Sequence, residues 1–212
     1  MDNINVNGLM ITVGLEQRGS LIRKSVQNFF DQDYPFKVLH ILNQGKQSIK
    51  ELFPNNSIRE YKTKTVGIVK LRNELLEKID CGEICVQWDD DDLKPIHFIS
   101  TLHEIIIRDK YDGVITKGIY FYDSNTQKYS VLAKEQFAPN AFFFKKKDLI
   151  YNVDGYGEDL KFVGQYGLRY KVKRFEIPII KIIHGQNVNE NRNGCCVHKS
   201  NILEYNFGDC IL

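Results

Sequence analysis

No run in this 212-residue sequence is apolar for the roughly 20 residues that a membrane-crossing helix needs, so no transmembrane segment is expected. The opening Met1-Asp2-Asn3-Ile4-Asn5 lacks the basic start and apolar core of a secretory leader. An excess of one charge is also missing. The 29 Lys and Arg against 27 Asp and Glu leave a formal net charge of +2, too small to make nucleic acid or an acidic membrane surface the main partner. Cysteine is sparse and odd in number: Cys81, Cys85, Cys195, Cys196 and Cys210. With no secreted context, this argues for reduced thiols and a cytoplasmic protein, in the host cytoplasm if the chain is virus-encoded. Cys195, Cys196, His198 and Cys210 can be drawn as a zinc site, but the adjacent pair lacks the usual two-residue spacer. Repeats and low-complexity linkers are absent too, so a single domain over residues 1–212 is expected.

What is present divides into two styles. Residues 8–14 form a short apolar strand, and a helix follows from Ser20, a plausible N-cap, to about residue 32, with Ile22, Val26, Phe29 and Phe30 at helical spacing. Asp33-Tyr34-Pro35 breaks it. A strand over 36–42, a short helix over 48–53 and a strand over 58–61 come next. The clearest helix runs over 66–79, with Ile68, Leu71, Leu75 and Ile79 on one stripe and Glu74 four residues from both Lys70 and Lys78. Pro95 opens a further helix carrying Phe98, Leu102, Ile105 and Ile106. Strand and helix therefore alternate through residues 1–110, which argues for a mostly parallel sheet with helices on its faces. Residues 111–185 read differently, with strands over 113–122, 127–132, 140–144, 171–175 and 177–183 and a helix opening at 155–159. Residues 186–212 form a tail that is poorly ordered or wraps the domain.

The organising stretch is Glu83-Ile84-Cys85-Val86-Gln87-Trp88-Asp89-Asp90-Asp91-Asp92. A buried strand ends in four consecutive carboxylates. Four such groups are not all buried and ionised without partners, because like charges oppose one another and desolvation adds to the cost. A divalent cation bridging to a phosphate is one solution, and a solvated acidic loop is the other.

Four patches, in order over about residues 8 to 185, resemble the GT-A glycosyltransferases of the large family 2 type. They are Ile11-Thr12-Val13 through Phe29-Phe30-Asp31-Gln32-Asp33-Tyr34-Pro35, then Gly67-Ile68-Val69-Lys70-Leu71-Arg72-Asn73, then Trp88-Asp89-Asp90-Asp91-Asp92-Leu93-Lys94-Pro95, and finally Gly157-Glu158-Asp159 with the later His184. The resemblance implies a three-layer α/β/α fold, with a mostly parallel central sheet and a small antiparallel addition. It implies a metal-dependent, inverting transfer of a hexose from a nucleoside-diphosphate sugar, UDP-linked by preference, to a hydroxyl of a glycan or glycoprotein. Mn²⁺ or Mg²⁺ would stabilise the leaving diphosphate. By motif match Asp91 is the first metal ligand, Asp92 replaces it if the register shifts by one, and His184 is a further ligand. Asp89 would face the ribose hydroxyls, with Asp90 beside it.

Asp159 matches the general base, with Glu158 next to it. Acids at a helix start also complement the helix dipole without any catalytic role. Lys70 and Arg72 are candidates for phosphate or for holding the acidic run, and they also suit an ordinary charged helix face. Thr12, Gly14, Glu16 and Asn43 lie at the ends of the first two strands, where α/β sheets bind ligands. Here the chain departs from the family. Val13-Gly14-Leu15-Glu16 stands where Pro-Thr-Tyr-Asn is usual, and Asn43-Gln44 where Asp-Asp is usual. Two other readings compete. A sugar nucleotidyltransferase would need a Gly-rich phosphate loop that the opening strand lacks. A non-catalytic nucleotide-sugar or carbohydrate-binding domain would keep the fold without Asp159 chemistry.

Overall fold

The structure is a computed structural model that describes residues 4–53, 55–123, 128–131, 137–152, 157–183 and 195–196. The chain runs β1 (Val6–Thr12), α1 (Leu15–Phe30), β2 (Lys37–Asn43), β3 (Ile58–Lys62), α2 (Ile68–Leu76), β4 (Ile84–Gln87), β5 (Asp92–Leu93), α3 (Phe98–Arg108), β6 (Gly113–Asp123), β7 (Lys128–Val131), β8 (Phe137–Lys145), α4 (Glu158–Arg169), β9 (Val172–Ile183) and β10 (Cys195–Cys196). Strands β3, β2, β1 and β4 lie side by side and parallel. β8 joins β4 antiparallel and carries the sheet on to β6. β6 pairs with β9, parallel, along one edge, and shares its other edge between β8 and β7.

Alternation along the strands separates two cores. Val6, Met10, Leu39, Ile41, Ile84 and Val86 face α1 and α3, where Ile22, Val26, Phe29, Phe98 and Leu102 pack on them. Leu9, Leu42, Cys85, Phe142 and Phe144 face the other way, onto Leu71, Leu75, Phe162 and Tyr166 of α2 and α4. Successive side chains of a strand point to opposite faces, so one sheet buries both sets, and the result is three layers. The mixed sheet with helices on both faces is the architecture that the alternating pattern predicts.

Several boundaries differ from the sequence expectation. Ser20 is not the cap of α1. The N-cap lies six residues earlier, at Gly14 (φ 104°), and the helix departs from helical geometry at Arg18 (φ −130°, ψ 28°). A side chain at Gly14 would meet Gly45 Cα at 2.4 Å, so the turns after β1 and β2 touch through two glycines. The expected helix over 48–53 is only a set of turns. Ser48 Oγ and the Lys50 N–H donate to Glu60 at 2.8 and 3.0 Å, which diverts donors from a helical ladder. The expected strands over 171–175 and 177–183 are one strand, β9, whose register with β6 slips between Lys117 and Ile119. The slip sits where Gly118 (φ 95°) faces Pro178, a residue with no N–H to give to the ladder. β5 is only two residues long, and its pairing with β9 sets Asp92 opposite Lys181. In the tail, Cys195–Cys196 adds a strand beside β7, whereas His198 and Cys210 lie outside the described residues. Among the described residues no helix is long and apolar enough to cross a membrane.

One buried polar pair makes the fold sensitive to acid. His40 Nε2 lies 3.0 Å from Asn7 Oδ1, and His40 Nδ1 lies 3.2 Å from the Tyr61 hydroxyl. Burial, assisted by Arg59, holds the imidazole down at about 4. It is therefore neutral when folded and takes a proton in the unfolded chain below its ordinary value of 6.5. Its contribution to stability is complete above pH 6.5 and is lost as pH falls toward 4. Urea unfolding across that interval should show the slope of stability against pH reduced by about one proton in His40→Gln.

Candidate active site

The acidic run begins where β4 ends, next to β1, at the carboxyl ends of the parallel strands. Trp88 anchors it. Its indole is fully buried, donates from Nε1 to the Ser25 carbonyl at 3.1 Å and meets the Phe29 ring edge-on at 5.0 Å. Ser25 Oγ in turn donates to the Asp89 carbonyl at 2.8 Å, so α1 clamps the backbone from which the acids project.

Each aspartate then meets a different surrounding. Asp90 has both oxygens occupied, by Thr12 Oγ1 at 2.6 Å and Arg18 Nη1 at 2.7 Å. It ties the run to the turn after β1. Burial pushes its carboxyl up and Arg18 works against that. Asp92 is fully buried. Asn140 Nδ2 donates to its Oδ2, Lys94 Nζ lies 3.9 Å from the same oxygen, and Lys181 Nζ lies 3.8 Å from Oδ1. Burial raises the Asp92 carboxyl to about 7 while the two lysines oppose the rise. Lys94 is itself fully buried, with Nζ 4.3 Å over the Trp88 ring. Burial also works against the charge of Lys181, but Asp92, Asp91, Asp89 and Asp159 together hold it above the usual lysine range. Asp91 is nearly buried, and its carbonyl accepts the Ile182 N–H at 2.8 Å.

Arg72 joins the run to α4. Its Nη2 donates to Asp89 Oδ1 at 2.9 Å and to Asp159 Oδ2 at 3.3 Å. The other oxygen of Asp159 accepts from Gln87 Nε2 at 2.7 Å, and the same amide donates to the Tyr151 hydroxyl. Asn73, next to Arg72, exchanges two bonds with the backbone of Tyr151 at 2.7 and 2.8 Å, fixing that segment against α2. Burial raises the Asp159 carboxyl to about 6. Arg72 opposes the rise, and Asp89 and Glu158 add to it. Arg72 Nε and Nη1 are buried with no hydrogen-bond partner among the described residues, so two charged donors remain beside the acids.

One oxygen each from Asp89, Asp91 and Asp92 falls within a mutual spread of 4.8 Å. An all-carboxylate set of this spread suits a hard divalent ion such as Mg²⁺ or Mn²⁺, and Asp92 Oδ1 is buried with no hydrogen-bond donor among the described residues. Asp90 is not in that set, because Thr12 and Arg18 use both of its oxygens. The chain also relieves the run with its own cations. Among the described residues, Arg18, Arg72, Lys94 and Lys181 face the carboxylates of Asp89, Asp90, Asp92 and Asp159, and Lys181 also lies in the field of Asp91.

Of the residues singled out from sequence, the structure gathers Thr12, Arg72, Asp89, Asp90, Asp91, Asp92 and Asp159. Glu158 stands half-buried in the first turn of α4. Lys70 is exposed on α2. Glu16 accepts the N–H groups of Lys46 and Gln47 at 2.9 and 3.0 Å and so braces the turn after β2. The Asn43 amide donates to Gln47 O and Glu60 Oε1, and its oxygen accepts the Gly45 N–H. These bonds commit both ends of that side chain to the loop rather than leaving them for a base. Gly14 lies against Gly45, as described above. His184 lies outside the described residues. Sequence reasoning missed Arg18, Gln87, Lys94, Asn140, Tyr151 and Lys181. Only Gln87, a polar residue inside an apolar strand just before the acids, carried a local signal.

No protein-family model matches the sequence, and no curated protein matches it. Solved structures do resemble the fold. Residues 1–349 of S. aureus TarS in complex with UDP superpose with a TM-score of 0.66 at 14% identity, over 85% of this chain and 61% of that one. S. aureus TarS in another structure gives 0.65 at 15% identity, over 85% of this chain and 37% of that one. The mannosyltransferase PcManGT from Pyrobaculum calidifontis, in complex with GDP-Man and Mn²⁺, gives 0.64 at 14% identity, over 86% and 58%. The chain thus spans between 37% and 61% of the length of these three structures. The likeness establishes the GT-A fold.

The Arg72 bridge carries a stability consequence. Removing a buried cation leaves two largely buried carboxylates uncompensated, which costs about 3–5 kcal/mol. Arg72→Met should therefore lose that much in denaturant unfolding at pH 7, and Asp159→Asn in the same background should recover part of it.

Proposed function

We propose that this chain transfers a hexose from a nucleoside-diphosphate sugar to a hydroxyl of a glycan or glycoprotein, with inversion at the anomeric carbon. The observation that carries the reading is the single guanidinium of Arg72 held between Asp89 and Asp159 at 2.9 and 3.3 Å. It joins the acidic run to the candidate base, which lies 70 residues further along the sequence on a separate helix. The GT-A fold supports the same reading, and similar structures hold UDP in one case and GDP-Man with Mn²⁺ in another. A UDP-linked donor is favoured.

Asp89, Asp91 and Asp92 would hold Mn²⁺ or Mg²⁺. A divalent ion there supplies Lewis-acid stabilisation of the leaving diphosphate. Asp159 takes the proton of the acceptor hydroxyl as its oxygen bonds to the anomeric carbon and the bond from that carbon to the phosphate oxygen breaks. Gln87 and Arg72 hold one Asp159 oxygen each, which fixes the carboxylate plane before the acceptor arrives. The unpartnered Nε and Nη1 of Arg72 are the donors available to an incoming anionic group. Burial of Asp159 makes it a better base than an exposed aspartate, because its conjugate acid ionises near 6 rather than near 4.

Asp159→Asn is expected to lower transfer by about 10²–10⁴-fold while nucleotide binding stays within about twofold. Wild-type transfer should rise with pH around a midpoint near 6, as Asp159 loses its proton, and the residual activity of Asp159→Asn should lack that limb. Asp91→Ala should abolish the part of UDP or GDP binding that depends on Mn²⁺, read by thermal shift across UDP, GDP, CDP and dTDP with and without the ion. Undiminished transfer by Asp159→Asn would remove Asp159 as the base, and nucleotide binding by the wild type with no transfer would leave a binding domain as the surviving interpretation.

A further inference from the structure

Asp92 has a cation facing each of its two oxygens, and the two cations differ. Lys94 lies 3.9 Å from Oδ2, fully buried and walled by the rings of Trp88 and Phe98. Lys181 lies 3.8 Å from Oδ1, and its side chain keeps 30% exposure. It sits on β9 directly across from Asp92 in the short β5 pairing. Neither separation is a hydrogen bond. Asp92 Oδ1 and Lys94 Nζ are both buried with no hydrogen-bond partner among the described residues. The cluster of Asp89, Asp91 and Asp92 therefore lies against a fully buried cation and a second, partly exposed cation, and it holds a buried carboxylate oxygen without a hydrogen-bond donor among the described residues.

We infer that Lys181 is the resident cation of the candidate metal site, and that it makes entry of a divalent ion conditional on an anionic nucleotide. The inference rests on the nucleotide-sugar reading above and names the residue that orders its ligands. Among the described residues, Lys181 faces Asp92 and lies in the field of Asp91, Asp89 and Asp159, so it already supplies positive charge where a metal ion would sit. A bare divalent ion among Asp89, Asp91 and Asp92 would stand next to the Lys181 ammonium. Like charges a few ångströms apart repel strongly in a partly desolvated cluster. A nucleoside diphosphate brings its own negative charges between the two cations and gives Lys181 an alternative partner. Metal and nucleotide then bind as a unit, and Lys181 is a positioning residue for both.

The test measures Mn²⁺ binding to the purified full chain by electron paramagnetic resonance of the free ion, with and without UDP. Wild type should bind Mn²⁺ weakly alone and about tenfold or more tightly with UDP. Lys181→Met should bind Mn²⁺ alone about tenfold or more tightly than wild type does, and should lose most of the UDP enhancement. Lys181→Gln should behave like Lys181→Met, and Lys181→Arg should restore wild-type behaviour. Tighter binding is a gain that a misfolded variant would not show. A wild type that binds Mn²⁺ with the same affinity as Lys181→Met and Lys181→Gln overturns the role of Lys181 alone. Absence of Mn²⁺ binding in every form, with UDP or GDP present, overturns the nucleotide-sugar reading along with it.

Discussion

Four consecutive carboxylates at the end of a buried strand are the constraint around which the rest of the molecule is arranged. Placed in a half-desolvated cleft they oppose one another, and none is stable as an anion there without compensation. The compensation comes from four separate places in the chain. Arg18 reaches in from α1, Arg72 from α2, Lys94 from just beyond β5, and Lys181 from β9. Elements remote in sequence are thereby tied to one point, and that point lies at the carboxyl ends of the parallel strands. Hydrophobic packing on both faces of the sheet builds the layers, and the ion pairs set how their ends meet.

The arrangement assigns different work to neighbouring acids. Asp90 is fully engaged with Thr12 and Arg18, so it braces the turn after β1. Asp89 shares Arg72 with Asp159, which places a candidate base one guanidinium away from the run. Asp92 lies deepest, between two lysines and Asn140. These ties are made by the chain's own side chains and not by the proposed divalent ion. Its place in the proposed reaction is with the donor diphosphate.

The sequence made some of this visible and hid the rest for physical reasons. Helical spacing in α2 and α3 and the apolar run of β4 announced the layered α/β core, since periodicity is a local property. The acidic run was conspicuous because four like charges in a row are costly wherever they sit. The cations that answer it were not conspicuous. Lys181 lies in an apolar strand that reads as ordinary, and it becomes informative only once β5 sets it across from Asp92. Arg18 is one charge in a polar stretch, and its role needs the non-helical step in α1 that lets it reach Asp90. Tyr151 and Asn140 likewise acquire meaning through contacts across more than 45 residues of chain, which no local pattern encodes. Asn43 lies where α/β sheets bind ligands, and the loop after β2 uses its amide.

The most direct measurement is a crystal structure grown with UDP and Mn²⁺, with manganese located by its anomalous signal. If the acidic run is a partly neutralised seat for a metal diphosphate, the peak will lie against Asp89, Asp91, Asp92 and the diphosphate, with Asp90 still on Thr12 and Arg18 and Asp159 still on Arg72. A manganese peak away from these aspartates, or UDP bound at a distance from them, would contradict the whole arrangement proposed for this site.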